Sequence, residues 1–193
     1  MRHSKSSQKL RPAAGALGDG SVTKSLVYIA LFAALIAAGA FIQIRVLSIP
    51  YTLQTFFCLL AGSFLGARRG AAAAGAYVLI GLIGLPIFTA GGGFQYVVYP
   101  SFGYLLGLVP TAFLSGLLLR KIRPGYWRVA AALFLCATLD LAIGALYYAL
   151  VVKGMSGISF WPIFSGFFLV YLPAEVLKAA ACAAIFLRLR RML

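Results

Sequence analysis

Carboxylates are scarce in this chain of 193 residues: Asp19, Asp140 and Glu175 stand against 17 lysines and arginines. Histidine occurs once, as His3 near the N-terminus. Histidine-built metal sites and Ser-His hydrolysis are therefore excluded as readings. Cysteine is limited to Cys58, Cys136 and Cys182, each inside an apolar stretch and none in a CxxC pair. They read as small packing residues, not as disulfides or ligands. No GxxxxGK[ST] run and no GxGxxG fingerprint is present. The chain thus offers neither a phosphate loop for ATP nor a dinucleotide site, and no cofactor is expected. Energy for uphill transport would have to come from another chain or an ion gradient.

What the chain has in abundance is apolar sequence. It is 63% hydrophobic, with a mean hydropathy of +0.99, against roughly 45–50% apolar in an ordinary soluble domain. Apolar runs near the length of a membrane span, about 20 residues, recur along it, which predicts an all-α polytopic membrane protein. A transmembrane barrel would instead show short alternating segments. The expected spans are 25–44, 52–67, 70–88, 101–119, 129–151 and 164–187, six in all. Residues 1–24, rich in Ser, Gly and Lys, read as a disordered cytoplasmic tail and 25–193 as the membrane domain. AAGA at 37–40 loosely resembles a signal-peptide cleavage site, but the apolar stretch is long for one.

The net charge of +14 does not point to nucleic acid, because the basic residues form no broad face or tract. They cluster where apolar runs end: in the tail with Lys24, at Arg68 and Arg69, at Arg120, Lys121, Arg123 and Arg128, and at Arg188, Arg190 and Arg191. Only Arg45 and Lys153 fall on the other side, with Lys178 inside the bilayer. The positive-inside rule then puts both termini in the cytoplasm, for a multi-pass protein of the plasma membrane.

Two spans have unusual lengths. The second gives about 22 Å of helix against a ~30 Å hydrocarbon core, so its outer end must be covered by protein or continue through SIPYT. The last apolar region, 159–187, is too long for one straight span. Pro162 and Pro173 are expected to break it, leaving part of 159–172 dipping into the membrane or lying at its surface. Pro173 would then open the final helix, with Glu175 in its first turn, where the helix dipole favours a carboxylate.

Asp140, Glu175 and Lys178 lie in apolar sequence, where an ionised group costs about 2.5–3.5 kcal/mol on insertion scales. Lys178 stands about 15 Å along a helix from Arg188, near the bilayer midplane. Two readings follow. One is a small-molecule site reached from outside. The other is an ion pair, Glu175–Lys178 or Asp140–Lys178, that holds helices together.

The segment TAGGGFQYVVYPSFGY, 89–104, is the most unusual one. Gly91, Gly92 and Gly93 allow backbone conformations closed to other residues and are expected to serve as a lid. Tyr99, Phe102 and Tyr104 offer flat faces for a ring, the competing reading being an interfacial aromatic belt; Gln95 belongs with these candidates. Gln54, beside Thr52 and Thr55, brings an amide to the outer end of span two, for a ligand or for a neighbouring helix. Ala30, Ala34 and Ala38 form a small-residue stripe on span one, which either packs internally or receives another membrane subunit.

PYTLQTFFCLLAGSFLGARRGAAAAGAYVLIGLIGLPIF, then GGG, PSFGYLLG and LPAEVLKA, in that order from about Ile44 to Ala184, resemble the BioY family. These are the biotin-specific capture (S) subunits of energy-coupling factor transporters. The resemblance implies a six-helix S-component bundle and an outward-facing biotin pocket, with no catalytic residue and no metal. It also implies partnership with a transmembrane coupling subunit and ATPase subunits, the coupling subunit meeting the stripe on helix one. The family's acid and lysine in the last helix fall on Glu175 and Lys178, although the motif most often reads PGD where this chain has Pro173-Ala174-Glu175. Tyr99 stands where some relatives carry an amide. In such a pocket Glu175 accepts from ureido N–H groups, Phe102 and Tyr104 suit the thiolane ring, and Lys178 or Arg45 meets the carboxylate. Asp140 has no carried-over role and reads as a helix-pairing group, with Lys178 a candidate partner. The alternatives are an S component for another vitamin, an intramembrane enzyme using Asp140 or Glu175, and a purely structural membrane subunit.

Overall fold

Six α-helices carry nearly all of the described chain. The computed structural model describes residues 21–45, 50–123, 125–157 and 159–190. In order they are α1 (Val22–Phe41), α2 (Gln54–Leu65), α3 (Ala67–Ile83), α4 (Phe102–Lys121), α5 (Tyr126–Ser156) and α6 (Phe160–Arg190). α1, α4, α5 and α6 are long and apolar enough to cross a membrane. β1 (Gln43–Arg45) and β2 (Pro50–Thr52) pair antiparallel between α1 and α2. A 3-10 turn, Phe94–Val98, precedes α4.

The boundaries differ from the sequence reading in four places, each for a local reason. α1 starts at Val22, because the Ser21 hydroxyl accepts from the Lys24 backbone N–H and caps the first turn. Lys24 therefore belongs to the helix, while the rest of the expected tail, 1–20, lies outside the described residues. α2 is shorter than expected because residues 50–52 are committed to the hairpin, with Ile44 opposite Tyr51. α3 stops at Ile83, where Gly84 takes φ 125°, a conformation open chiefly to glycine.

The fourth difference concerns α6. It runs unbroken through Pro173, so 160–172 is neither a re-entrant segment nor a surface one, and Glu175 sits mid-helix instead of in a first turn. Pro162 falls at the start of α6, where its missing N–H has no helical partner to lose. Pro173 does disturb the ladder one turn upstream. There the Tyr51 hydroxyl of β2 donates to the Val170 carbonyl, the kind of outside partner that makes proline tolerable in a membrane helix. The Tyr51 ring also stacks on Tyr171, with centroids 4.2 Å apart. Tyr51→Phe keeps the stack and loses only the hydroxyl. It is expected to lower stability by about 1 kcal/mol, read as an earlier thermal melt of the detergent-solubilised chain; an unchanged melt would mean that the carbonyl is satisfied without Tyr51.

α2 is the axis of the bundle. It touches all five other helices, and ten of its twelve residues are buried. Its length of about 18 Å is tolerable because protein surrounds it. Two glycines make its close packing possible. A Cβ on Gly62 would stand 1.9 Å from Ser115 Oγ and 2.2 Å from the Ala112 carbonyl oxygen. A Cβ on Gly116 of α4 would meet the Ala67 nitrogen at 2.3 Å and the Gly66 carbonyl carbon at 2.5 Å. This is the close helix approach that small residues permit.

The bundle is polarised. One apolar cluster, including Phe32, Phe64, Leu119, Val129 and Phe186, occupies the end where α3 and α5 begin and α4 and α6 finish. Arg68, Arg69, Arg120, Lys121, Arg128, Arg188 and Arg190 belong to those same terminal turns. The opposite end holds two further clusters, one around Phe88, Tyr96 and Phe102 and one around Tyr148, Ile163 and Tyr171. A cavity opens between them.

Candidate functional site

Six pieces of chain meet at this cavity: β2, the start of α2, the segment after α3, the start of α4, and the middles of α5 and α6. It encloses about 570 Å³ when its open mouth is counted, within the usual size of a small-molecule site. Asp140 and Glu175, 3% and 5% exposed, lie on its wall with Lys178.

The charged groups are only partly satisfied. Lys178 Nζ donates to Glu175 Oε1 at 2.5 Å, one helical turn apart on α6, as i, i+3 spacing allows. Thr55 Oγ1 of α2 donates to Asp140 Oδ2 at 2.9 Å. Glu175 Oε2, Asp140 Oδ1 and the Tyr104 hydroxyl are buried without a hydrogen-bond partner. Buried polar atoms are usually paired, and the cost of leaving one unpaired is about 1–3 kcal/mol. Three on one cavity wall mark a place for a ligand with polar groups of its own.

The rest of the wall is fixed by its own hydrogen bonds. Gln54 Nε2 donates to the Tyr77 hydroxyl at 2.7 Å, and that hydroxyl donates on to the Ile87 carbonyl. The Tyr96 hydroxyl lies 2.9 Å from Thr89 Oγ1 and 3.1 Å from Ser101 Oγ. Tyr51, Tyr104 and Tyr171 give one side an aromatic surface.

Of the residues singled out from sequence, Glu175, Lys178, Tyr104 and Gln54 come together on the cavity. Phe102 does not: it is buried in the apolar cluster against Tyr147. Tyr99 is half exposed and stacks on Tyr96 from outside. Gln95 is exposed and donates to the Gly92 carbonyl. The Arg45 side chain lies outside the described residues. Gly91, Gly92 and Gly93 fold back on the end of α3: the Gly93 N–H donates to the Gly81 carbonyl at 2.7 Å, and Phe88 and Gly91 exchange two bonds. From this loop Thr89 and Tyr96 reach the cavity. Ala30, Ala34 and Ala38 are exposed on α1, whereas Ala33, Ile36 and Ala40 are buried, so the stripe points away from the bundle.

Asp140 requires a correction. It does not pair with Lys178; it bonds Thr55 and lines the cavity. Its rarity was the signal in the sequence. Tyr51 and Tyr171 were missed because 159–172 was read as lying apart from the bundle, and nothing in SIPYT marks a hairpin.

Comparison with known proteins is consistent across the chain. A family model described as the BioY family matches residues 5–193. A probable biotin transporter BioY from Lysinibacillus sphaericus is 44% identical over 133 residues, which is 67% of this chain and 68% of that one. A biotin transporter BioY from Thermotoga maritima is 34% identical, covering 88% of this chain and 97% of its own. Among solved structures, the S-component for biotin from an ECF-type ABC transporter superposes with a TM-score of 0.74 at 28% identity, over 88% of this chain and 92% of that one.

Proposed function

This chain belongs to the BioY family, and we propose on that premise that it captures biotin as the substrate-binding S subunit of an ECF-type transporter and performs no chemistry on it. The observation that carries the reading is the cavity wall itself. Two buried carboxylates, an ammonium group and a phenol converge there, and three of their atoms lack partners. The ureido ring of biotin brings two N–H donors and one carbonyl acceptor. Glu175 Oε2 accepts an N–H, and the Tyr104 hydroxyl or Lys178 donates to the carbonyl. The stacked Tyr51 and Tyr171 rings offer the apolar surface that the thiolane ring needs. The excess of carboxylates over cations at the wall repels the valerate carboxylate, which therefore points to the mouth.

The basic turns all belong to the end of the bundle opposite the cavity. By the positive-inside rule that end is cytoplasmic, with both termini, and the cavity faces outward. The exposed stripe Ala30, Ala34 and Ala38 is the surface that receives the coupling subunit, whose ATPase partners supply the energy.

Titration of the purified chain with biotin, thiamine and riboflavin tests the reading. Sub-micromolar binding of biotin alone is the expected result, and selective binding of either other vitamin overturns it. A C-terminal green fluorescent protein fusion is expected to fluoresce in cells; a fusion active only as an exported reporter would reverse the orientation.

A further inference from the structure

We propose that Asp140 is itself a ligand-binding residue: it receives one ring N–H of the bound molecule while Glu175 receives the other. The inference rests on the biotin reading and adds a second acceptor from a different helix.

Three observations carry it. Asp140 lines the same cavity as Glu175, from α5 where Glu175 comes from α6. Its carboxylate is held but not saturated: Thr55 fixes Oδ2, and Oδ1 has no partner. Helix α4 leaves room beside it. A Cβ on Gly107 would stand 2.3 Å from Asp140 Oδ1, so a glycine keeps that oxygen uncrowded.

The balance of charge points the same way. The wall carries Asp140 and Glu175 but one cation, Lys178, which is bound to Glu175. A buried carboxylate with no cation needs N–H or O–H donors. A cyclic urea supplies two N–H groups on opposite sides of one carbonyl, a fit to two acceptors on separate helices. A helix-pairing role for Asp140 would use the Thr55 bond alone and would be indifferent to which N–H groups the ligand has.

The test uses biotin and two carbamate analogues, in each of which one ureido N–H is replaced by a ring oxygen. Binding to the full chain in detergent is measured by calorimetry. In the unmodified chain each replacement is expected to weaken binding about tenfold or more, since each leaves a buried carboxylate oxygen without a donor. In Asp140→Leu, similar in volume and without an acceptor, one of the two penalties disappears and the other persists. If Asp140→Leu does not fold, Asp140→Asn takes its place, its weaker amide acceptor shrinking that same single penalty. A penalty for only one analogue in the unmodified chain overturns the proposal, as does a variant that retains both in full. An unmodified chain that binds no biotin refutes the underlying reading instead.

Discussion

Lys178→Met is expected to abolish biotin binding and to cost the fold about 3–5 kcal/mol, the usual consequence of leaving one member of a buried ion pair alone. Glu175 is 5% exposed and its Oε1 accepts from Lys178 at 2.5 Å. Without the ammonium, the wall would hold Asp140 and Glu175 with no cation between them. The double variant Glu175→Gln, Lys178→Met removes the stranded charge along with the pair. It should melt higher than the single variant while still failing to bind biotin. Thermal melts in detergent and a biotin titration on both variants check this. A single variant as stable as the double would mean that the pair is not desolvated, and full binding by the double would remove the site from α6.

The second large effect concerns packing. Gly116→Ala is expected to lose about 3 kcal/mol or more, the upper range for overpacking, because the added methyl meets backbone atoms of Gly66 and Ala67. Backbone cannot rotate away as a flexible side-chain end can. Gly62→Ala should behave similarly through the Ala112 carbonyl. Gly75 supplies the control: a Cβ there has nothing within 4 Å, so Gly75→Ala should gain up to about 1 kcal/mol from helix propensity. Melting the three variants side by side is the measurement. Equal shifts would refute the claim that the α2–α4 approach sets the bundle.

Much of this architecture was legible in the chain because lipid enforces simple rules. Apolar runs gave the six helices in order, and basic residues marked the end where Arg68, Arg120, Arg128 and Arg188 gather. Glu175 and Lys178 stood out because ionisable groups in apolar sequence are costly. Other features depend on contacts between distant segments. Pro173 argued for a helix break, yet α6 continues, with Tyr51 of the hairpin bonding the Val170 carbonyl. Phe102 and Tyr104 are neighbours in an aromatic-rich stretch, but they take opposite fates, one in the apolar cluster and one on the cavity. The helical turn decides that, and aromatic composition alone does not. Asp140 was conspicuous, but its partner Thr55 lies 85 positions away, and no local pattern joins the two.

The enclosure of α2 also bears on how the protein meets its lipid. A helix with about 18 Å of length that faced acyl chains would force the bilayer to thin around it. With protein on every side, α2 escapes that mismatch, and adjustment to bilayer thickness falls to the outer helices, which can tilt about it. Gln54 and Thr55, at the cavity end of α2, thus ride on the one element insulated from the host membrane's thickness.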